Sequence, residues 1–539
     1  MSCRRYRYFV AISLLALLTF ATRAISLDAQ SLWRDEVDAL CYAHEIPHLI
    51  SKSIVPGEVD GFSPPQACPV LPVRAAPSPD APIGQRLTRT LDGVIRQNGP
   101  LYFLLLRQWI WLAGKSEYGM RFLSLIFGVL CVPLTYVLGQ RLFNRQTGAA
   151  AALLMTASPY LAWYSQEIKM YTLVPALVLA AIYGLHRAAH EGGWCWWAMQ
   201  IVASSLAFYT HILAALLIPI QIILYLLWQP WTRRQWRGAL ISFMLLVLPY
   251  LPLLAWQAPV IFRAQETGFH HYTLRQMVEI LLNGWSLGIA CEGRPWGAVL
   301  MGALAVGGML GPFIALADSP SMDEAAPLRN RLALFCWGTL PLGALWRVSL
   351  WQPLFTDRYL IWSAPAFYLS TALGLVFVGR RGRWGYGLMI TLACIVLTFA
   401  GLNQWRQATM PIKSDFRAAA AYVAAHNARH DAGKDELMIF QIPHGRYTFD
   451  YYFSQSDYRW REGLFTNHQD PDGSYLLSVS EAAQRMAAMT APYDTVWLLV
   501  TEMDMWDRRA LVKEWLDTNW HQAESAHFTR VDVYRYQRP

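Results

Sequence analysis

Charge is what this chain has least of. Only 15% of its 539 residues are Asp, Glu, Lys or Arg, whereas soluble globular chains carry about 25%. That deficit argues against a soluble multidomain protein with a water-facing surface. Disorder is excluded as well, because it needs low hydrophobicity and high charge, and 55% of these residues are hydrophobic. No internal repeat appears, and biased composition is confined to a Pro-rich stretch at 55–82. No Walker A or dinucleotide fingerprint is present. The eight cysteines form no CxxC and show no His/Cys spacing for zinc. The net charge is +8, but the Arg residues lie beside apolar runs and build no separate basic domain, so nucleic acid is not an expected partner.

What the chain has instead is apolar length. A helix needs about 20 mostly apolar residues to cross the hydrocarbon. Runs of that kind lie at 8–27, 119–140, 148–164, 169–187, 194–210, 212–229, 239–256, 296–317, 331–350, 359–378 and 385–403. They predict an α-helical polytopic membrane protein of about 11 transmembrane helices. The 24 Trp and 26 Tyr suit aromatic interface belts. The first run follows Arg4, Arg5 and Arg7, is long, and ends in a poor cleavage site at 27–29, so it reads as a retained span with a cytoplasmic N-terminus.

The stretch 100–114 is left out of the spans. It is short and carries Arg107 in its middle, where a bilayer-centre charge costs about 2.5–3.5 kcal/mol. A juxtamembrane helix with Arg107 on its wet side is cheaper. The charge pattern agrees. With 100–114 outside, Arg141/Arg145, Arg187, Arg233/Arg234/Arg237, Arg329/Arg331 and Arg380/Arg381/Arg383 all fall on the cytoplasmic side. Residues 1–403 then form the membrane domain, with outer loops at 28–117 and 257–295. Residues 404–539 form a small extracytoplasmic α/β domain. Within it, helices are predicted at 415–426 and 508–517, and strands at 437–441, 495–500 and 531–536. A Cys41–Cys68 disulfide is allowed on that side, and so are free thiols.

Four polar segments collect at the outer ends of spans: Ser31–Glu36, Trp163–Tyr171, Tyr209–His211 and Phe355–Tyr359. Ionisable groups at membrane depth suggest function. Asp35, with Glu36 beside it, is a candidate general base for a hydroxyl, or else a helix-capping pair. Glu167 and Gln166 are candidates for positioning an acceptor. Glu167 with Asp35 would also suit a divalent cation such as Mg²⁺ or Mn²⁺. The bland alternative for Glu167 is a carboxylate favoured by a helix dipole. Arg358 is a phosphate candidate, or an interface anchor paired with Asp357. Lys169 is a second phosphate candidate, or a snorkelling side chain. Tyr359 is a third candidate for the donor phosphate, and His211 is either a residue that positions an acceptor or metal or a polar helix end.

Read in order, SLWRDE (31–36), NGPLYFLLLRQWIWLAGKSEYGMRFLSLIFGVL (98–130), GQRLFNRQTG (139–148), SPYLAWYSQEIKMY (158–171), LFTDRYLIWSAPAF (354–367) and KSDFRAAAAYV (413–423) resemble the membrane-embedded GT-C glycosyltransferases. The likeness is to the family 39 branch of protein mannosyltransferases, aminoarabinose transferases and RgtA–D-like enzymes. The resemblance implies a polyprenyl-phosphate sugar donor and transfer to a glycan, lipid or protein acceptor on the outer face of the bacterial inner membrane. It also implies that Asp35 sits at the reaction centre with Glu36 beside it. Ile168-Lys169 stands where that branch more often has Ala-Arg, which keeps a cation but loses the bidentate fork. The rival readings are a lipid-linked sugar or solute transporter and an oligosaccharide ligase or polymerase. Transporters place ionisable groups at the midplane of repeated halves, whereas here they lie at span ends.

Overall fold

The computed structural model describes residues 3–44, 82, 99–228, 235–261, 270–289, 295–315, 325–427, 436–453, 458–469 and 473–539. The chain forms two compact units. One is Met1–Leu27 with Leu87–Thr409, and the other is Asp28–Arg86 with Met410–Pro539.

The first unit is helical. Among the described residues, six helices are long and apolar enough to cross a membrane: Tyr6–Ala24, Glu117–Leu142, Leu173–Glu191, Leu328–Ser349, Asp357–Gly379 and Gly382–Thr409. Shorter apolar helices cover Leu101–Ala113, Ile212–Trp228, Trp236–Leu248 and Trp296–Gly311. The protein is thus polytopic, but not every expected span is a single α-helix. The run 148–164 divides into Arg145–Ala157 and Pro159–Ser165. Ser158 is extended between them, and its hydroxyl caps Leu161 N at 3.1 Å. Pro159 supplies the reason, since it disfavours helical backbone in the residue before it.

Two helices approach closely at a pair of glycines. A Cβ on Gly374 would lie 2.0 Å from Leu304 O, and one on Gly308 would lie 2.4 Å from Ser370 O. Small residues permit this approach between the helices Trp296–Ala315 and Ala364–Gly379.

The helix Leu101–Ala113 has 13 residues, about 20 Å of rise, which is too short to span. Its packed stripe is Tyr102, Phe103, Leu106, Arg107 and Ile110. Arg107 therefore does not take the expected wet side, because helical spacing places it four residues beyond Phe103 on the buried face.

The second unit holds a five-stranded sheet in the order β2-β1-β3-β5-β4. The strands are β1 Glu436–Phe440, β2 Arg459–Glu462, β3 Thr495–Val500, β4 His521–Phe528 and β5 Val531–Gln537. β1 is parallel to β2 and β3, β5 is antiparallel to β3, and β4 pairs antiparallel with β5. Alternation sends Leu437, Ile439, Val496 and Leu498 to one core and Met438, Phe440, Trp497 and Leu499 to the other. A sheet covered on both faces reads as continuous apolar runs, which is why β1 and β3 were predictable, while β5 shows through its Val and Tyr residues. β2 and β4 are edge strands with mostly polar, exposed residues, so they carry little signal.

The domain boundary differs from the expected one in two ways. The last span runs unbroken to Thr409. The polar shift at 404 marks where its residues turn polar, not where the helix ends. Residues 28–36 also belong with the tail rather than with the membrane part. Gln30 donates to Met410 O (2.8 Å) and accepts from Ile412 N (2.9 Å), while Ser31 donates to Ser414 O (2.7 Å). Arg417 donates to Asp28 O and Gln30 O. Cys41 is disulfide-bonded; its expected partner Cys68 lies outside the described residues, as do Cys291 and the Pro-rich stretch apart from Pro82.

The strongest link in this unit joins two of the motifs read from the sequence. Lys413 Nζ meets Glu36 Oε2 at 2.9 Å, with both side chains almost wholly buried. Removing one member of a buried pair strands the other charge, at a cost of about 3–5 kcal/mol. Lys413→Met is therefore expected to lower the unfolding temperature sharply. Adding Glu36→Leu should recover most of the loss. Thermal unfolding of the detergent-purified chain and its two variants checks this.

Candidate active site

In the membrane unit, the turn after Pro159–Ser165 is fixed from both ends. On one side Arg23, buried in the first helix, donates to Met155 O at 2.7 Å and to Ser165 Oγ at 2.9 Å. A Cβ on Gly128 would lie 2.2 Å from that same Ser165 Oγ, so the position has room only for glycine. Gln166 Nε2 then donates back to Arg23 O (2.8 Å) and Ser26 Oγ (3.0 Å). On the other side Ser124 Oγ donates to Lys169 O at 3.0 Å, and Thr172 Oγ1 donates to Ser124 O at 2.7 Å. Glu167 and Lys169 ride on this turn, the first fully buried and the second 9% exposed.

The segment after the late span's outer loop closes on that turn. Tyr164 donates to Asp357 Oδ2 at 3.0 Å, and Tyr160 donates to Asp357 O at 3.0 Å. The rings of Tyr160, Tyr164 and Tyr171 follow edge to face, with centroids 4.8 and 5.1 Å apart. Arg358 places its guanidinium 5.9 Å from the Tyr171 ring centre. Asp357, Glu167 and Arg358 all act electrostatically on the Tyr164 hydroxyl. His211 packs its ring 5.2 Å from that of Tyr359. His211 also caps the following helical turn, its Nδ1 accepting from Leu213 N at 3.2 Å.

Three of the four polar segments therefore meet in one unit. They bring together Glu167, His211, Asp357, Arg358 and Tyr359, with Lys169 on the same turn as Glu167. The Gln166 Nε2 group is committed to Arg23 O and Ser26 Oγ. Asp357 is engaged by Tyr164 and Thr356. Tyr160 and Arg23 were not foreseen as site-building residues. The signal for Arg23 was a cation at the end of an apolar run.

The fourth segment belongs to the second unit. Asp35 and Glu36 open the helix Arg34–His44, where adjacent residues point about 100° apart. Glu36 turns inward to Lys413, and its Oε2 also accepts from Trp33 N at 3.4 Å. Asp35 is half-buried at the surface of the same turn. The two neighbouring carboxylates are thus placed differently, Asp35 half-buried and Glu36 buried against Lys413. Among the described residues, no group of three or more His, Cys, Asp or Glu side chains is arranged to hold a metal ion.

Residues 97–256 match the family described as dolichyl-phosphate-mannose-protein mannosyltransferase. Solved structures resemble nearly the whole chain. Archaeal oligosaccharyltransferase AglB from Archaeoglobus fulgidus, in complex with an inhibitory peptide and a dolichol-phosphate, is 12% identical. The match covers 99% of this chain and 74% of that one, with a TM-score of 0.58. ArnT from Cupriavidus metallidurans in the apo state is 11% identical over 99% of this chain and 98% of that one, with a TM-score of 0.54. ArnT bound to undecaprenyl phosphate has a TM-score of 0.52 at 11% identity, covering 97% of each chain. No curated protein sequence matches. The chain thus shares its fold with these solved membrane-enzyme structures over nearly its whole length, and the family match covers 97–256.

Burial, reinforced by Arg358, pushes the His211 pKa from 6.5 down to about 3. The fold holds this imidazole neutral, while the unfolded chain takes up its proton near pH 6.5. Stability from this group is complete above that pH and falls as the pH drops from about 6.5 to about 3. His211→Gln, which keeps a capping acceptor, is expected to flatten that slope. Unfolding midpoints measured against pH check it.

Proposed function

We propose that this chain is an integral-membrane glycosyltransferase. It moves a sugar from a polyprenyl-phosphate carrier to an acceptor hydroxyl at the outer face of the inner membrane. The observation that carries this reading is the cluster of Glu167, His211, Arg358 and Tyr359 with the neighbouring Lys169, held by buried hydrogen bonds in a GT-C fold.

In this reaction the carrier's phosphate lies at the membrane boundary. Arg358, with Lys169 and Tyr359, binds its oxygens and stabilises the charge that develops on the leaving phosphate. Asp35 takes the proton from the acceptor hydroxyl. The acceptor oxygen bonds to the anomeric carbon as the bond to the phosphate oxygen breaks, and the phosphate keeps the electron pair. Attack from the opposite face inverts the configuration. Glu167 and His211 orient the acceptor, His211 as a neutral imidazole. The topology that suits this chemistry has a cytoplasmic N-terminus and an extracytoplasmic tail. The sugar is a hexose or pentose, and the acceptor is an envelope glycan, lipid or protein.

Asp35→Asn is expected to abolish transfer while leaving folding and carrier binding intact. Mass spectrometry of envelope glycans and lipid-linked sugars, from cells with and without the active chain, reads this and identifies donor and acceptor. An active Asp35→Asn variant would remove the base assignment. Arg358→Ala should weaken binding of undecaprenyl phosphate about 10- to 100-fold, the worth of a charged hydrogen bond of about 1.5–3 kcal/mol. Arg358→Lys should lose less. Equilibrium binding to the reconstituted protein decides this.

A further inference from the structure

The second unit has an edge that the reaction above does not use. β2, β1 and β3 run parallel, so Glu462, Phe440 and Val500 end at one side of the sheet. In open α/β sheets that carboxyl side is where ligands bind. The chain leaving β1 carries His444, and the chain leaving β3 carries Glu502. Their side chains meet there, with His444 Nε2 3.1 Å from Glu502 Oε2.

Glu502 is also strained. Its φ of 46° and ψ of 41° are left-handed, a conformation that favours glycine. Ala510 and Arg530 share the positive φ, and Arg530 turns the β4–β5 hairpin. Strained non-glycine residues cluster at ligand sites. Where a turn alone is needed, glycine serves better, so a charged side chain at this position calls for a reason of its own.

The same edge borders the helix that carries Asp35 in its first turn. The helix Arg34–His44 packs on Pro443–Tyr452, the helix that carries His444. Leu32 N donates to Tyr452 Oη at 2.6 Å. The Glu502 carboxylate interacts electrostatically with Arg34 and Asp35.

We propose that Glu502, held by His444, forms the acceptor side of Asp35 and receives hydrogen bonds from a polyhydroxylated acceptor, so that one hydroxyl is presented to the base. This rests on the Asp35 assignment made above. His444 engages one carboxylate oxygen, and the Glu502 side chain is 42% exposed, which leaves capacity for a ligand's hydroxyls. His444 also holds the Glu502 carboxyl below its ordinary range, so it is an ionised acceptor at neutral pH. Glu502 is thus an acceptor-binding residue, and His444 positions it.

The test uses the full-length chain in cells that lack it, with envelope glycans read by mass spectrometry. The purified variants are also assayed for undecaprenyl phosphate binding and thermal unfolding. Glu502→Gln and Glu502→Gly should each lower product at least tenfold, with carrier affinity within twofold of the parent. Glu502→Asp should retain an intermediate level. Glu502→Gly should unfold at the same temperature or higher, because it relieves the left-handed strain, which a purely structural role would not combine with lost product. Parental product from Glu502→Gly overturns the proposal, and so does loss of carrier binding in these variants. If Asp35→Asn is silent while the Glu502 variants match the parent, only this inference falls. If Asp35→Asn is active, the base assignment falls with it.

Discussion

The membrane unit depends on one buried cation. Arg23 lies at the end of the first helix and binds groups on two others, the Met155 carbonyl and the Ser165 hydroxyl. Its own carbonyl then accepts from Gln166. A guanidinium has five donors in a rigid fork, so a single side chain can tie the first helix to the break at Ser158 and to the turn beyond it. That turn carries Glu167 and Lys169. Their placement follows from a network on the far side of the short helix, and the glycine at 128 leaves the space in which it forms.

A second buried cation does the corresponding work in the other unit. Lys413 sits at the start of the tail and neutralises Glu36, one residue from Asp35. Buried ion pairs contribute little net stability, yet they penalise every arrangement that separates them. Here the pair ties the first loop to the tail, together with the hydrogen bonds of Gln30 and Ser31. The candidate base thus stands on a helix whose position is set from about 380 residues further along the chain. Through this contact the tail fixes the helix on which Asp35 stands.

Much of this was legible from residue order. Apolar length marked the helices, and short runs rich in apolar, β-branched and aromatic residues marked the central strands at 437–441, 495–500 and 531–536. Three polar segments at span ends did converge around Arg358 and Glu167. What was not legible has specific causes. A window average passes over Ser158-Pro159, because the break comes from backbone sterics and not from polarity. Arg107 looked too costly for an apolar environment, but helix periodicity turns it into protein. Asp35 and Glu36 look alike as neighbours, and only the helix they begin sends one outward and the other to Lys413.

The amino-acid order by itself determined the class of structure: apolar runs that need lipid, a polar tail that does not, and ionisable groups gathered at span ends. These are local properties, set by the solvent each segment can tolerate. Tertiary structure alone decided which polar groups are buried against partners and which keep exposure. Glu36 and Arg23 are buried, while Asp35, Arg358 and Glu502 keep exposure. That division depends on partners far apart in the chain, and a buried charge takes its role from whatever meets it.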